Sequence, residues 1–206
     1  MSAKERLSVS ARKKRICEAA KQVFLTKGFA ATTMEDIVKA CGLSKGGLYY
    51  HYSSTADILY DLMLMGNAYR YVLIKEFMEQ HETLPHEQMI AELAALKMLD
   101  SNEYKSLYVM FLLEVKKNEK LKQLYIKMMQ ESRNDFLHFI AEHRLDDLAC
   151  LAHEEFISFT NAMIVATELL EVRDVFWEHK DFFKDIVVLY MQKHKTNVRN
   201  ADGMKQ

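Results

Sequence analysis

The sequence predicts an all-α protein in which a small three-helix head leads into a larger helical body. Three observations carry that prediction. Half of the 206 residues are hydrophobic, yet the chain holds one proline and six glycines, so little interrupts a long helix. Apolar residues return every three or four positions along most of the chain, the spacing of one helix face. Four helix starts fall in under fifty residues, three of them at a capping Ser or Thr, two of those with an acid three residues later.

The elements follow in order. Residues 1–10 read as an irregular lead-in. From Ala11, the apolar positions Ile16, Ala19, Ala20, Val23 and Phe24 make one face of a first helix, which Gly28 ends. Thr33 caps a second helix with Asp36 in capping-box spacing, Ile37, Val38, Ala40 and Cys41 form its buried side, and Gly42 makes the turn. Ser44 caps the third helix, which continues through Leu48 to Tyr52, and Ser54 with Asp57 starts the fourth. The fourth is long, with Ile58, Leu62, Met65, Tyr69 and Val72 on one stripe. Pro85 is expected as the first residue of the next helix. Further helices are expected at 86–99, 103–117, 119–143, 147–171 and 174–195, then a polar tail over 196–206. This divides the chain into a helix-turn-helix domain over 10–53 and a second helical domain over 54–200.

The net charge of −1 hides an asymmetry. Residues 1–53 hold ten Lys/Arg against four Asp/Glu, so 10 − 4 = +6, and the remainder holds 18 against 25, so 18 − 25 = −7. A basic head on an acidic body is the arrangement expected when only the head meets phosphate. Cys17, Cys41 and Cys150 are far apart and form no CxxC pair, which argues against a disulfide framework or a thiolate metal site. No apolar run is long enough for a membrane span or a signal sequence, so no membrane partner and a cytoplasmic location are expected. No nucleophile elbow, phosphate loop, HExxH or paired-carboxylate pattern suggests an enzyme, and no cofactor is expected. His81 and His86, like His138 and His143, are five apart and share no helix face, so no metal is expected from them either.

The stretch from Thr33 to Thr55 carries the chemistry. A tight glycine turn joins two short helices, and the second presents Lys45, Gly46, Gly47, Tyr49, Tyr50 and His51 where a DNA groove would lie. The segment ATTMEDIVKACGLSKGGLYYHYSSTADIL resembles the DNA-binding head of the tetracycline-repressor (TetR) family of bacterial regulators. The motif proper covers about 33–52 and the family pattern extends to about residue 70. The resemblance implies a double-stranded DNA operator as partner, with Thr33 and Ser44 at helix starts near phosphate. Lys45 would reach a phosphate or a guanine edge. Gly46 and Gly47 would let the helix start lie close to the duplex. Tyr49, Tyr50 and His51 would meet thymine methyls, sugars or phosphates, although consecutive helical positions suggest that one tyrosine faces the core. Leu48 and Tyr52 would pack inward. The sequence departs from the family at Thr55, where a Lys is common, so a phosphate contact is lost there or carried by Arg12, Lys13, Lys14 or Arg15. Gly47 also offers no side chain for base readout.

Beyond residue 70 the resemblance is architectural, and it implies a body that senses a small-molecule effector and dimerises. Methionines and aromatics suit an adaptable apolar pocket. The candidate lining is Met63, Phe77, Met110, Phe111, Tyr125, Met128, Met129, Phe159 and Met163, with Glu114 or Glu168 available to a cation. That composition favours a lipophilic cation, a fatty acyl compound or an aromatic metabolite. The last two long helices are apolar on two sides, and a second subunit is the simplest cover for the extra side. Phe156, Ile157, Ile164, Val175, Phe182 and Leu189 are the candidate homodimer interface. The expected function is a dimeric repressor on a palindromic operator, released by an apolar or amphipathic effector. The alternative is a ligand-independent DNA-binding or architectural protein whose body only dimerises.

Overall fold

A computed structural model describes the backbone of residues 8–143 and 145–203, and their side chains through 194 other than 147. Among the described residues the regular elements are all helical. The head contains α1 (Val9–Lys27), α2 (Met34–Cys41) and α3 (Lys45–Tyr49), and α4 (Thr55–Gln80) follows. Next come α5 (His86–Leu99), α6 (Glu103–Val115) and α7 (Glu119–Glu142). A 3-10 segment (Asp146–Ala152) precedes α8 (Glu154–Leu169), α9 (Arg173–Glu178) and α10 (Lys180–Gly203).

The caps explain the head. Ser8 accepts from the Ala11 amide, so α1 begins two residues before Ala11. Gly28 ends it at φ 77°, a backbone that favours glycine, and Phe29 folds back to place its ring 5.6 Å from Phe24. Thr33 and Asp36 form a reciprocal capping box on α2, and Gly42 closes that helix in the left-handed region at φ 66°, ψ 27°. Ser44 caps α3 through the Gly47 amide. At the start of α4, the Ser54 hydroxyl meets both the side chain and the amide of Asp57.

The chain forms two compact units. One comprises the residues up to Ala68 together with Glu103–Met128, and the other comprises Tyr69–Asn102 and the residues from Met129 onward. In this division α6 and the first part of α7 pack in the unit that holds the head. In that unit Ile16, Phe24, Ile37, Leu48, Ile58, Leu59, Leu62, Leu107, Phe111 and Leu121 are fully buried. Lys21 joins α1 to α6 through Glu103 at 2.8 Å, with Glu18 at 2.9 Å on its own helix.

In the second unit, α5 lies against α8, α9 and α10. Its core gathers Ile90, Ala94, Ala95, Met98 and Leu99 from α5, Leu148 and Leu151 from the 3-10 segment, and Phe183, Val187 and Met191 from α10. Four expectations change here. The helix expected at 147–171 is divided into the 3-10 segment and α8, because Leu148, Cys150, Leu151 and Ala152 all turn into the core. The helix expected at 174–195 breaks at His179 into α9 and α10, and α10 continues to Gly203 rather than giving way to a tail at 196. Pro85 is the N-cap of α5 rather than its first residue. Residues 1–7 and 204–206 of the expected lead-in and tail lie outside the described residues.

Candidate nucleic-acid interface

The recognition segment is one short helix held by one apolar stripe. Leu48 is fully buried and Tyr52 is 3% exposed; standing four apart, they form the inward face. Tyr49 and Tyr50 are 43% and 78% exposed. The expectation that one of them is core is therefore wrong: α3 ends at Tyr49, and with Leu48 and Tyr52 filling the buried stripe neither tyrosine is needed inside. His51 lies in the following turn, its ring edge-on to Tyr50 at 5.0 Å. Partial burial, with Arg12 and Lys13 nearby, lowers its pKa below 6.5.

A partly buried polar chain fixes that stripe. Lys13 on α1 donates to Asp61 on α4 at 3.1 Å, and the Tyr52 hydroxyl donates to the same Asp61 oxygen at 2.8 Å. The Cys17 thiol lies 3.3 Å from the Tyr52 hydroxyl, and the Lys13 ammonium stands 4.9 Å from the centre of the Tyr52 ring. Tyr52 thus ties the end of the recognition segment to α1 and α4 together. Lys13, Tyr49, Tyr50, His51, Ser53, Asp57 and Tyr60 line an open cleft of about 460 Å³ beside it.

Lys45 is exposed, but it is engaged: its ammonium meets Glu35 of α2 at 2.9 Å and stands 5.8 Å from the Tyr49 ring. That pairing raises the Lys45 pKa and lowers that of Glu35. Gly46 faces open space, whereas a Cβ at Gly47 would meet the capping Ser44 oxygen at 3.1 Å. Gly47 therefore protects the cap as well as leaving the helix start bare. Thr33 is committed to its capping box, where its hydroxyl also donates to Asp36 at 2.7 Å. Thr55 is the half-buried first residue of α4. Beside it stands a cation that sequence reasoning missed. Lys120 of α7 reaches Asp57 at 2.7 Å and the Ser54 hydroxyl at 3.0 Å. Sixty-five positions separate it from Thr55, too far for any local pattern to signal it.

The candidate effector residues are not brought together within either unit. Met63, Met110, Phe111, Glu114, Tyr125 and Met128 belong to the first, and Phe77, Met129, Phe159 and Met163 to the second. Phe111 is fully buried with Tyr125 at 6.1 Å, Phe159 and Met163 pack on the core of the second unit, and Phe77 stacks on His81 at 4.1 Å. Both candidate acids have cationic neighbours: Glu114 meets Lys117 at 3.3 Å, and Glu168 meets Arg173. The candidate dimer residues divide as well. Val175, Phe182 and Leu189 are 57%, 61% and 53% exposed, and Ile157 is half-buried. Phe156 and Ile164, by contrast, are buried within their own unit, because their stripe of α8 faces inward.

A capped second helix, a glycine-opened third helix and an exposed cation with two exposed tyrosines form a helix-turn-helix of the kind that meets a DNA groove. Residues 16–62 match the family profile described as bacterial regulatory proteins, tetR family. Those residues are similar to the N-terminal head of the TetR family. The uncharacterized HTH-type transcriptional regulator YerO of Bacillus subtilis is 28% identical over 167 residues, which cover 77% of this chain and 58% of YerO. The chain thus spans less than two thirds of that relative's length. The uncharacterized HTH-type transcriptional regulator YfiR of the same organism is 51% identical over 47 residues, 23% of each protein. Among solved structures, Salmonella enterica GusR superposes with a TM-score of 0.66 at 17% identity, covering 91% of this chain and 96% of GusR. A TetR-family regulator from Mesorhizobium loti gives 0.57 at 16% identity, with 91% and 96% covered. At those identities the structures speak for the fold alone. No helix of the described residues is long and apolar enough to cross a membrane.

Proposed function

We propose that the chain is a cytoplasmic homodimeric repressor that binds a palindromic operator and leaves it when a small apolar or amphipathic effector binds the body. Residues 10–53 act as the DNA-binding domain and 54–200 as the effector-binding and dimerisation domain. The observation that carries the reading is the exposed set Lys45, Tyr49 and Tyr50, held outward by buried Leu48 and Tyr52. In the complex, Lys45 exchanges Glu35 for a phosphate or a guanine edge. Tyr49, Tyr50 and His51 meet the groove wall, and the helix starts at Thr33, Ser44 and Thr55 face phosphate. Lys120 supplies the cation that position 55 lacks. The exposed apolar row Val175, Phe182 and Leu189 supports the second subunit, which sets two heads on successive major grooves of one DNA face. An effector acts by preferring the spacing of the heads that does not fit DNA, so its differential affinity sets the loss of operator binding.

Capture of source-genome fragments by the purified protein at moderate salt, followed by sequencing, tests this. Enrichment of a short inverted repeat is expected, and only diffuse, salt-sensitive capture overturns the operator. A screen of amphipathic compounds for thermal stabilisation and operator release tests the effector. Failure of every compound class to do either favours the ligand-independent alternative.

A further inference from the structure

We propose that His153, Glu155 and His194 form a binding site for a divalent first-row metal ion of the zinc type. The site closes the start of α8 onto α10. One ligand atom from each of the three side chains lies within 4.8 Å of the others. The Glu155 Oε1 atom is the hub, 3.6 Å from His153 Nδ1 and 3.9 Å from His194 Nε2. Ligands bonded to tetrahedral zinc at about 2.0–2.1 Å stand about 3.4 Å apart. Both carboxylate–imidazole pairs are already near that separation, and small side-chain rotations bring in the remaining pair. The chemistry is that of a borderline ion, with two imidazoles, one carboxylate and a fourth position left to water.

The surroundings suit that use. Tyr190 donates its hydroxyl to Glu155 Oε1 at 2.9 Å and packs its ring 4.4 Å from that of His194, so it orients one ligand and buttresses another. The imidazole rings of His153 and His194 meet edge to face at 4.9 Å. The Glu155 charge, with Glu154 beside it in the first turn of α8, offsets the positive helix end. Partial exposure of the three side chains leaves a path for an ion. Position 194 lies far from 153 and 155 in the chain, so the cluster has no spacing signature in the sequence.

The test uses the full chain, stripped with a chelator, dialysed and titrated with zinc chloride. Wild type is expected to take up one equivalent of zinc per chain, with a Tm that rises with zinc concentration. The variants His153→Ala/His194→Ala and Glu155→Gln are expected to keep the metal-free Tm and lose the zinc-dependent rise. Tyr190→Phe, which keeps all three ligands, should keep the stoichiometry and bind zinc about 10–100-fold more weakly. Absence of zinc uptake by wild type, or equal uptake by the double variant, overturns the site. Unchanged affinity in Tyr190→Phe overturns the orienting role of that hydroxyl. Operator binding is not among these readouts, so the result stands apart from the regulator reading.

Discussion

The head and the second unit solve the problem of starting a helix in opposite ways. In the head, Ser8, Thr33 and Ser44 each accept a hydrogen bond from the first turn of the helix they precede. In the second unit, Pro85, His153 and Val172 stand before α5, α8 and α9 with no side-chain cap bond. There the helices are held by apolar packing around Met98, Leu99, Val187 and Met191. Short helices cannot stand on propensity, so α2 and α3 need their caps; α5 and α8, with a wide buried face, do not.

The largest effects come from the cores. Leu48→Ala and Leu99→Ala each remove a fully buried leucine and should each cost about 2–5 kcal/mol of stability by chemical denaturation. At a temperature where both variants remain folded, only Leu48→Ala should also lose operator binding, since it alone supports the recognition segment. Equal loss of DNA binding from Leu99→Ala would break the division between the regions.

Next is the outward face. Tyr50→Ala should leave stability within about 0.5 kcal/mol of wild type, as an exposed site should. Operator affinity should fall roughly tenfold if its hydroxyl meets a phosphate. A destabilised variant with unchanged affinity would reverse the assignment.

Thr33→Ala removes a cap and should cost about 1 kcal/mol, whereas His153→Ala in metal-free protein should cost less, since His153 has no cap bond to lose. The same capping box has a pH signature. Lys27 first, and then the Thr33 amide and hydroxyl, hold the Asp36 carboxyl below its ordinary 3.8. Its contribution is therefore complete above 3.8 and is lost as pH falls through the lowered folded value. Asp36→Asn should flatten the acid limb of a stability profile, and an unchanged limb would remove Asp36 from it.

The smallest effects concern the Glu35–Lys45 pair. Lys45→Ala should lower the salt slope of operator binding by about one if Lys45 meets phosphate. Glu35→Gln, which frees that ammonium, should raise affinity slightly, in a filter-binding titration, without moving Tm.

The same contrast explains what is legible in the sequence. Caps and glycine turns are local, so Thr33, Asp36, Gly42, Ser44 and Ser54 can be placed from residue type and spacing alone. The break at 152–154 carries no glycine or proline; it arises because Leu148 and Leu151 seek the core, a tertiary event. Both tyrosines face out because Leu48 and Tyr52 suffice as an inner stripe, which depends on α1 and α4. Lys120 reaches the start of α4 from α7, and His194 reaches His153 from α10, across separations that no motif spans. The second apolar side of the last helices is readable as a pattern, but which stripe faces out is not. Phe156 and Ile164 turn inward while Phe182 and Leu189 do not.

The thiol at the end of the Lys13–Asp61–Tyr52 chain gives the head a clock. Cys17 is 2% exposed, and burial first, opposed in part by its bond to Tyr52, pushes its pKa from 9.0 up to about 11. Alkylating reagents attack the thiolate, so Cys17 is inert while the head is closed and becomes reactive only when it opens. Under native conditions, the rate at which the Cys17 peptide gains an alkyl group therefore counts openings of the recognition segment. Operator DNA should slow that count.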